Sequence, residues 1–219
     1  MTWEDINLFQ YQRLLPILQE SENIEQYSKI IGVLYNKTDN EVNSLSISEY
    51  LDLKAKVNLL LNTDIKGQPV KYIKLKGRRY KCIYDIRNLP AARYIETKVF
   101  SEDFIGNIHK VAASMVMPMK KTIFGWKVDK YDASKHEVYA QDMLEARFVD
   151  VYHSAVFFLS VYLNWIKVSQ DYMIQELSKT VTHSVAVKEV ADLLKFMDGI
   201  IPYMKLPNST IKRLTRSGI

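Results

Sequence analysis

The sequence predicts a mainly α protein of the α+β class, a helical bundle with one inserted basic β-hairpin. Three observations lead there. Helix-start signatures recur through the first fifty residues. Apolar residues follow three- and four-residue steps over most of the chain. One stretch alone, "KYIKLKGRRYKCIYD" at 71–85, switches to a period of two around a single glycine.

The helices can be justified in order. Asn7 stands three residues before Gln10, with Ile6 and Tyr11 placed as a hydrophobic staple. Thr38 and Glu41 repeat that spacing, and so do Ser46 and Glu49, flanked by Leu45 and Tyr50. Ile24, Tyr27, Ile30, Ile31 and Leu34 mark one helical face between the caps. Four helices follow, at about 8–19, 24–35, 39–44 and 47–62, with Pro16 bending or shortening the first. These make an N-terminal helical subdomain, residues 1–65.

Residues 66–87 form the hairpin arm. Tyr80, Cys82 and Tyr84 share one face, Lys81 and Ile83 the other, and Lys76–Gly77 takes the turn. About seven residues per strand at roughly 3.3 Å each would carry the tip on the order of 20 Å from its base. A free two-stranded ribbon is marginal in water, so the arm must lean on the helices or on another chain.

A C-terminal helical subdomain spans 88–204. Pro90 opens one helix, and Ser101 is expected to cap the next, which Pro118 ends. Residues 118–137, with a lone tryptophan, read as a long loop of the kind that is functional or ordered in a complex. Two helices follow from Val138 to about Thr180, then a last one at about 185–200 and a basic tail at 205–219.

Charge is uneven along the 219 residues. The net is +5, but residues 1–50 hold 3 basic against 8 acidic groups, and residues 51–100 hold 12 against 4. An acidic head and a basic middle suit pairing between copies or contact with a polyanion. The one cysteine, Cys82, closes no intrachain disulfide, which suits a reducing compartment. "MTWEDINLFQ" puts acidic residues where a secretion signal needs basic ones. "FVDVYHSAVFFLSVYLNWI" carries Asp150, His153 and Asn164, so a buried core helix is expected there and no membrane partner.

Marks of catalysis are missing from the sequence. There is no GxGxxG or GxxxxGK[ST] cradle, and His109, His136, His153 and His183 form no HxxxH or HExxH pair. His109 is expected to cap or pack a helix, and Cys82 to act as a small buried hydrophobe. No enzyme activity, metal or cofactor is expected. The candidate partner-binding residues are instead Lys71, Lys74, Lys76, Gly77, Arg78, Arg79 and Lys81 on the arm. Phe124 and Trp126 in the loop join them, with Lys212, Arg213 and Arg216 in the tail. Three roles stand open for the arm: solubilising charge on a strand edge, contact with an acidic partner or neighbouring copy, and sequence-independent contact with nucleic-acid phosphates.

The succession "MTWEDINLFQYQRLL", "IIGVLYNKTDNEVNSLSISEYLDL", "KGRRYKCIYDI", "IGNIHKVAASMVMPM" resembles small helical proteins of the tail and neck region of tailed bacteriophages, crAss-like phages among them. Trp3, Asp5, Ile6 and Leu8 match the family's opening, and Gly77, Arg78 and Tyr80 its hairpin; the likeness covers residues 1–118. It implies a virion structural protein, a ring, collar or adaptor of tail or neck. Such a protein is made in the bacterial cytoplasm and assembles with itself and neighbouring tail proteins. The same family also holds tail-assembly chaperones that are absent from the mature particle, which keeps that second role open.

Overall fold

In the computed structural model, which describes residues 1–20, 23–86 and 89–180, the early helix starts are reciprocal caps. Asn7 Oδ1 accepts from the Gln10 amide at 2.8 Å, and Gln10 Oε1 accepts from the Asn7 amide at 3.1 Å. Glu41 and Glu49 likewise reach back to the amides of Thr38 (2.7 Å) and Ser46 (2.9 Å). Each box satisfies amides that a helix start leaves without intrahelical partners. The helices that follow are α1 (Leu8–Leu18), α2 (Ile24–Tyr35), α3 (Asp39–Asn43) and α4 (Ile47–Leu61). Helix α1 stops two residues past Pro16. Asn36 closes α2 in the left-handed region, φ 51°, where asparagine is tolerated better than most side chains.

The second half holds α5 (Ala91–Ser101), α6 (Phe104–Met115), α7 (His136–Glu145) and α8 (Phe148–Thr180). Pro90 stands at the N-cap of α5. The cap of α6 is a correction: Asp103, not Ser101, accepts from the Gly106 amide at 3.1 Å. Ser101 ends α5 and spends its hydroxyl on the Lys98 carbonyl oxygen at 2.9 Å. The helix expected at 185–200 and the tail at 205–219 lie outside the described residues, and with them Lys212, Arg213 and Arg216. No helix among the described residues is long and apolar enough to cross a membrane.

The sheet departs most from expectation. The basic hairpin, β1 (Tyr72–Leu75) and β2 (Arg78–Cys82), is half of a four-stranded antiparallel sheet in the order β1-β2-β3-β4. Strands β3 (Val116–Thr122) and β4 (Gly125–Val128) occupy much of the segment expected as the 118–137 loop. Helix α6 runs straight into β3 without a connection, so Pro118 ends no helix. It sits inside a strand, where its carbonyl oxygen accepts from the Asp129 amide at 2.8 Å. On an antiparallel strand the N and O of one residue point the same way, so the missing N–H falls on the β4 side. That is one residue past the end of β4, where it costs the ladder little.

The ribbon is therefore not alone. Its inner face packs on the protein's own core through Ile73, Tyr80 and Cys82, all buried. Tyr80 meets Tyr139 of α7 edge-on at 5.9 Å, and Tyr84 meets Phe157 of α8 at 5.0 Å. The Val70 amide donates to Ser154 Oγ at 3.1 Å. Stability that a lone ribbon would have to borrow from another chain is supplied here from within.

One contiguous set of buried side chains runs from Trp3 to Leu163. The N-terminal segment is stitched to the α7–α8 junction by two backbone bonds, Leu8 N–H to Ala146 O (3.0 Å) and Phe148 N–H to Ile6 O (2.8 Å). Trp3, Tyr11, Phe148 and Tyr152 form an aromatic nest there, with Tyr11 stacked on Phe148 at 3.7 Å.

Candidate docking end of the sheet

Register decides where the nominated residues meet. Arg79 lies opposite Met119, and Met119 opposite Val128. The β1–β2 turn at Lys76–Gly77 and the β3–β4 turn at Ile123–Phe124 therefore project from the same end of the sheet. Arm and loop, nominated separately from distant parts of the chain, form one surface. Gly77 has φ +75°, a backbone that L side chains rarely adopt, so the turn depends on it. Ile123 and Phe124 are 93% and 94% exposed at the tip of the second turn. Trp126 lies on the outer face beside them, directly across from Lys121.

The basic residues divide into two sets. Arg78 is committed internally: one guanidinium nitrogen sits 2.5 Å from Asp142 Oδ1 and another 3.1 Å from Glu145. Asp142 is buried on α7, and its other oxygen accepts a hydrogen bond from the Tyr80 hydroxyl. Burial, with that bond behind it, pushes the Tyr80 phenol far up, so it stays a proton donor. Arg79 lies over the Tyr72 ring at 4.1 Å, with its Nε buried and unpartnered. Both arginines serve the fold first. Lys71 is exposed near the Tyr72 ring, 5.6 Å from its centroid, and Lys81 is half-buried on the outer face.

Lys74, Lys76, Lys121 and Lys127 are exposed and make no ion pair among the described residues. Lys120, close by, is held at 3.3 Å by Asp129. The free charge at this end is lysine, carried on both hairpins. Sequence reasoning placed the first hairpin's share and missed Lys121 and Lys127, which gain their meaning only from a pairing between segments forty residues apart.

A second polar cluster forms under the sheet from residues that no local motif joins. Arg93 is almost fully buried; it donates to the Val116 carbonyl oxygen and covers the Tyr131 ring at 4.3 Å. Tyr131 donates to Glu96 at 2.8 Å. Ser114 Oγ lies 3.1 Å from His136 Nε2, and Glu96 lies 3.8 Å from that same nitrogen. A hydrolytic relay needs the nucleophile and the carboxylate on opposite ring nitrogens. Here both crowd Nε2, together with the Lys110 carbonyl oxygen at 3.2 Å, and the Ser114 side chain is buried. The cluster ties α5, α6 and α7 together as packing. Cys82 behaves as expected of a buried hydrophobe, with burial pushing its thiol up to about 11. Among the described residues no cluster of His, Cys, Asp and Glu is arranged to hold a metal ion.

Burial also depresses His109, His136 and His153 below their ordinary 6.5. The unfolded chain then takes up protons first as pH falls, so acid favours unfolding through the histidine range. Exposed carboxylates lowered by their caps, such as Glu41 and Glu49, add the same sign only nearer their ordinary 4.5. Melting followed by circular dichroism is expected to show Tm falling between pH 7.5 and 5.5 at constant ionic strength. A flat Tm across that window would contradict the buried neutral imidazoles.

Compared with protein-family models, with curated proteins and with solved structures, the chain finds no match in any of the three.

Proposed function

We propose that this chain is a bacteriophage virion structural subunit, a ring, collar or adaptor of the tail or neck, which docks onto other subunits through the turn end of its sheet. The phage setting rests on the resemblance of residues 1–118. The docking role rests on one observation: two large apolar side chains, Ile123 and Phe124, crown a two-residue turn in almost full exposure, at the sheet end that also carries the four unpaired lysines. Turn tips ordinarily take small or polar residues, and folding gains nothing from apolar ones held in water. Such a tip fits a partner's pocket with an acidic rim.

The test is a glutamate reversal of Lys74, Lys76, Lys121 and Lys127, scored by mass spectrometry of purified particles. The wild-type chain is expected in particles in many copies. The reversed chain should fold, with Tm close to wild type, and be depleted from them. Wild-type chain found in infected cells but not in particles would give the assembly-chaperone role instead. The same four lysines also suit phosphates. Binding to DNA that falls steeply across a salt series, with assembly untouched by the reversal, would move the reading to a nucleic-acid contact.

A further inference from the structure

We infer, independently of that docking role, that the C-terminal segment 185–200 folds back as a helix along the far half of α8 and covers an apolar stripe there. Among the described residues α8 carries its last buried side chain at Leu163, and beyond it Ile166 alone packs partly on the core. The helix nevertheless runs on to Thr180. Trp165, Val168 and Tyr172 are 37%, 59% and 63% exposed on this length. Steps of three and four residues put them on one helical face. Scattered apolar residues on a surface call for no explanation, but an aligned stripe of large ones, two of them aromatic, calls for a cover.

Residue spacing and chain length identify the cover. The sequence beyond α8 reads as a helix at about 185–200, with Ala186, Val190, Leu193, Leu194, Met197 and Ile200 on one face. Lys188, Asp192, Lys195 and Asp198 fall on the other. A helix with so wide an apolar face must bury it. Residues 181–184 separate it from α8, a connection of the length that joins two antiparallel helices. So short a tether holds the segment against its own chain at an effective concentration of millimolar order, which favours it over a second copy. Trp165 to Thr180 and Val185 to Ile200 are equal stretches, about 22 Å each. An antiparallel return over that connection sets Leu193 against Tyr172, Met197 against Val168 and Ile200 against Trp165, apolar against apolar at each step. The stripe begins beside the body, where Trp165 meets Tyr94 of α5 edge-on at 6.3 Å. The basic tail with Lys212, Arg213 and Arg216 then leaves from beside α5 and not from the far end of α8, which decides where those charges can meet a partner.

The experiment uses the full chain with introduced cysteine pairs, circular dichroism confirming that each variant folds. Cys82 is buried and stays out of reach of the oxidant. Val168→Cys/Met197→Cys is expected to close an intrachain disulfide under mild oxidation, located by mass spectrometry of the linked peptides. Val168→Cys/Lys195→Cys, whose second thiol lies on the polar face, should close about tenfold more slowly or less. Leu193→Glu/Met197→Glu gives a readout free of cross-linking. Amide hydrogen exchange across residues 165–180 should quicken about tenfold or more, with exchange across residues 1–163 unchanged. No closure by the first pair, closure of both pairs at one rate, or a link formed between chains instead of within one would each overturn the fold-back. Exchange at 165–180 unmoved by the glutamates would overturn it too. The docking role survives any of these results, since the turn end of the sheet takes no part in them.

Discussion

Replacing Phe148 with alanine is expected to cost about 3–5 kcal/mol, the range for deleting a fully buried phenylalanine. The ring is wholly buried, stacked on Tyr11 at 3.7 Å and flanked by Trp3 at 5.8 Å and Tyr152 at 5.3 Å. The neighbours are poorly placed to close the gap. Trp3 is pinned by its indole N–H on the Thr63 carbonyl oxygen at 2.8 Å. The backbone at position 148 is itself pinned to Ile6. A cavity that cannot collapse keeps its full penalty, so the upper part of the range applies. At about 2–4 °C per kcal/mol for a chain of this size, Tm should fall by on the order of 10 °C. Urea unfolding would check it: a lower midpoint with an unchanged slope, and one transition whichever half of the molecule is probed. The nest joins the first eleven residues to the start of α8, so loss should spread to both halves. A cost under about 1 kcal/mol would mean the nest is not the joint that its geometry implies.

Which parts of this molecule can be read from sequence follows from how far each interaction reaches along the chain. The caps at Asn7, Thr38 and Ser46 were legible because cap and partner stand three residues apart and nothing nearer competes. Ser101 failed for the same local reason, since Asp103 two residues on caps as well as a serine does and stands where the helix starts, while Ser101 still belongs to α5. The first hairpin was legible from its alternation and its glycine, and mainly α with a small β component is the class the structure has. The second hairpin was hidden. "VMPMKKTIFGWKV" carries a proline that argues against an inner strand, and two adjacent lysines that blur the alternation. Both are tolerated because of where pairing places them, and pairing is a long-range fact. The candidate surface shares that fate. Phe124 and Trp126 could be nominated singly, but only register brings them to the Lys76 turn. Nothing within a few residues of Arg78 reveals that its charge is spent on Asp142, sixty-four positions away.

That last pairing changes what a charge reversal of the arm would mean. Arg78→Ala is expected to cost about 2 kcal/mol at neutral pH, less than a wholly buried pair would lose, because the arginine side chain is 47% exposed. The loss arises on the other side of the pair. Asp142, 3% exposed, would be left with its charge answered only by the Tyr80 hydroxyl. Adding Asp142→Asn removes the stranded charge and keeps an oxygen for Tyr80. The double variant should therefore be more stable than Arg78→Ala alone, a positive coupling that a double-mutant cycle in urea would measure. If the double variant were the less stable by the sum of its parts, the two side chains would not be paired in solution. Reversing Lys76, Arg78 and Arg79 together, the natural experiment from sequence, would then mix two effects, because placing a glutamate at 78 against Asp142 and Glu145 loosens β2 from α7 before any partner is met. The four unpaired lysines carry no such debt to the fold, and for that reason a loss of assembly on reversing them reports on docking.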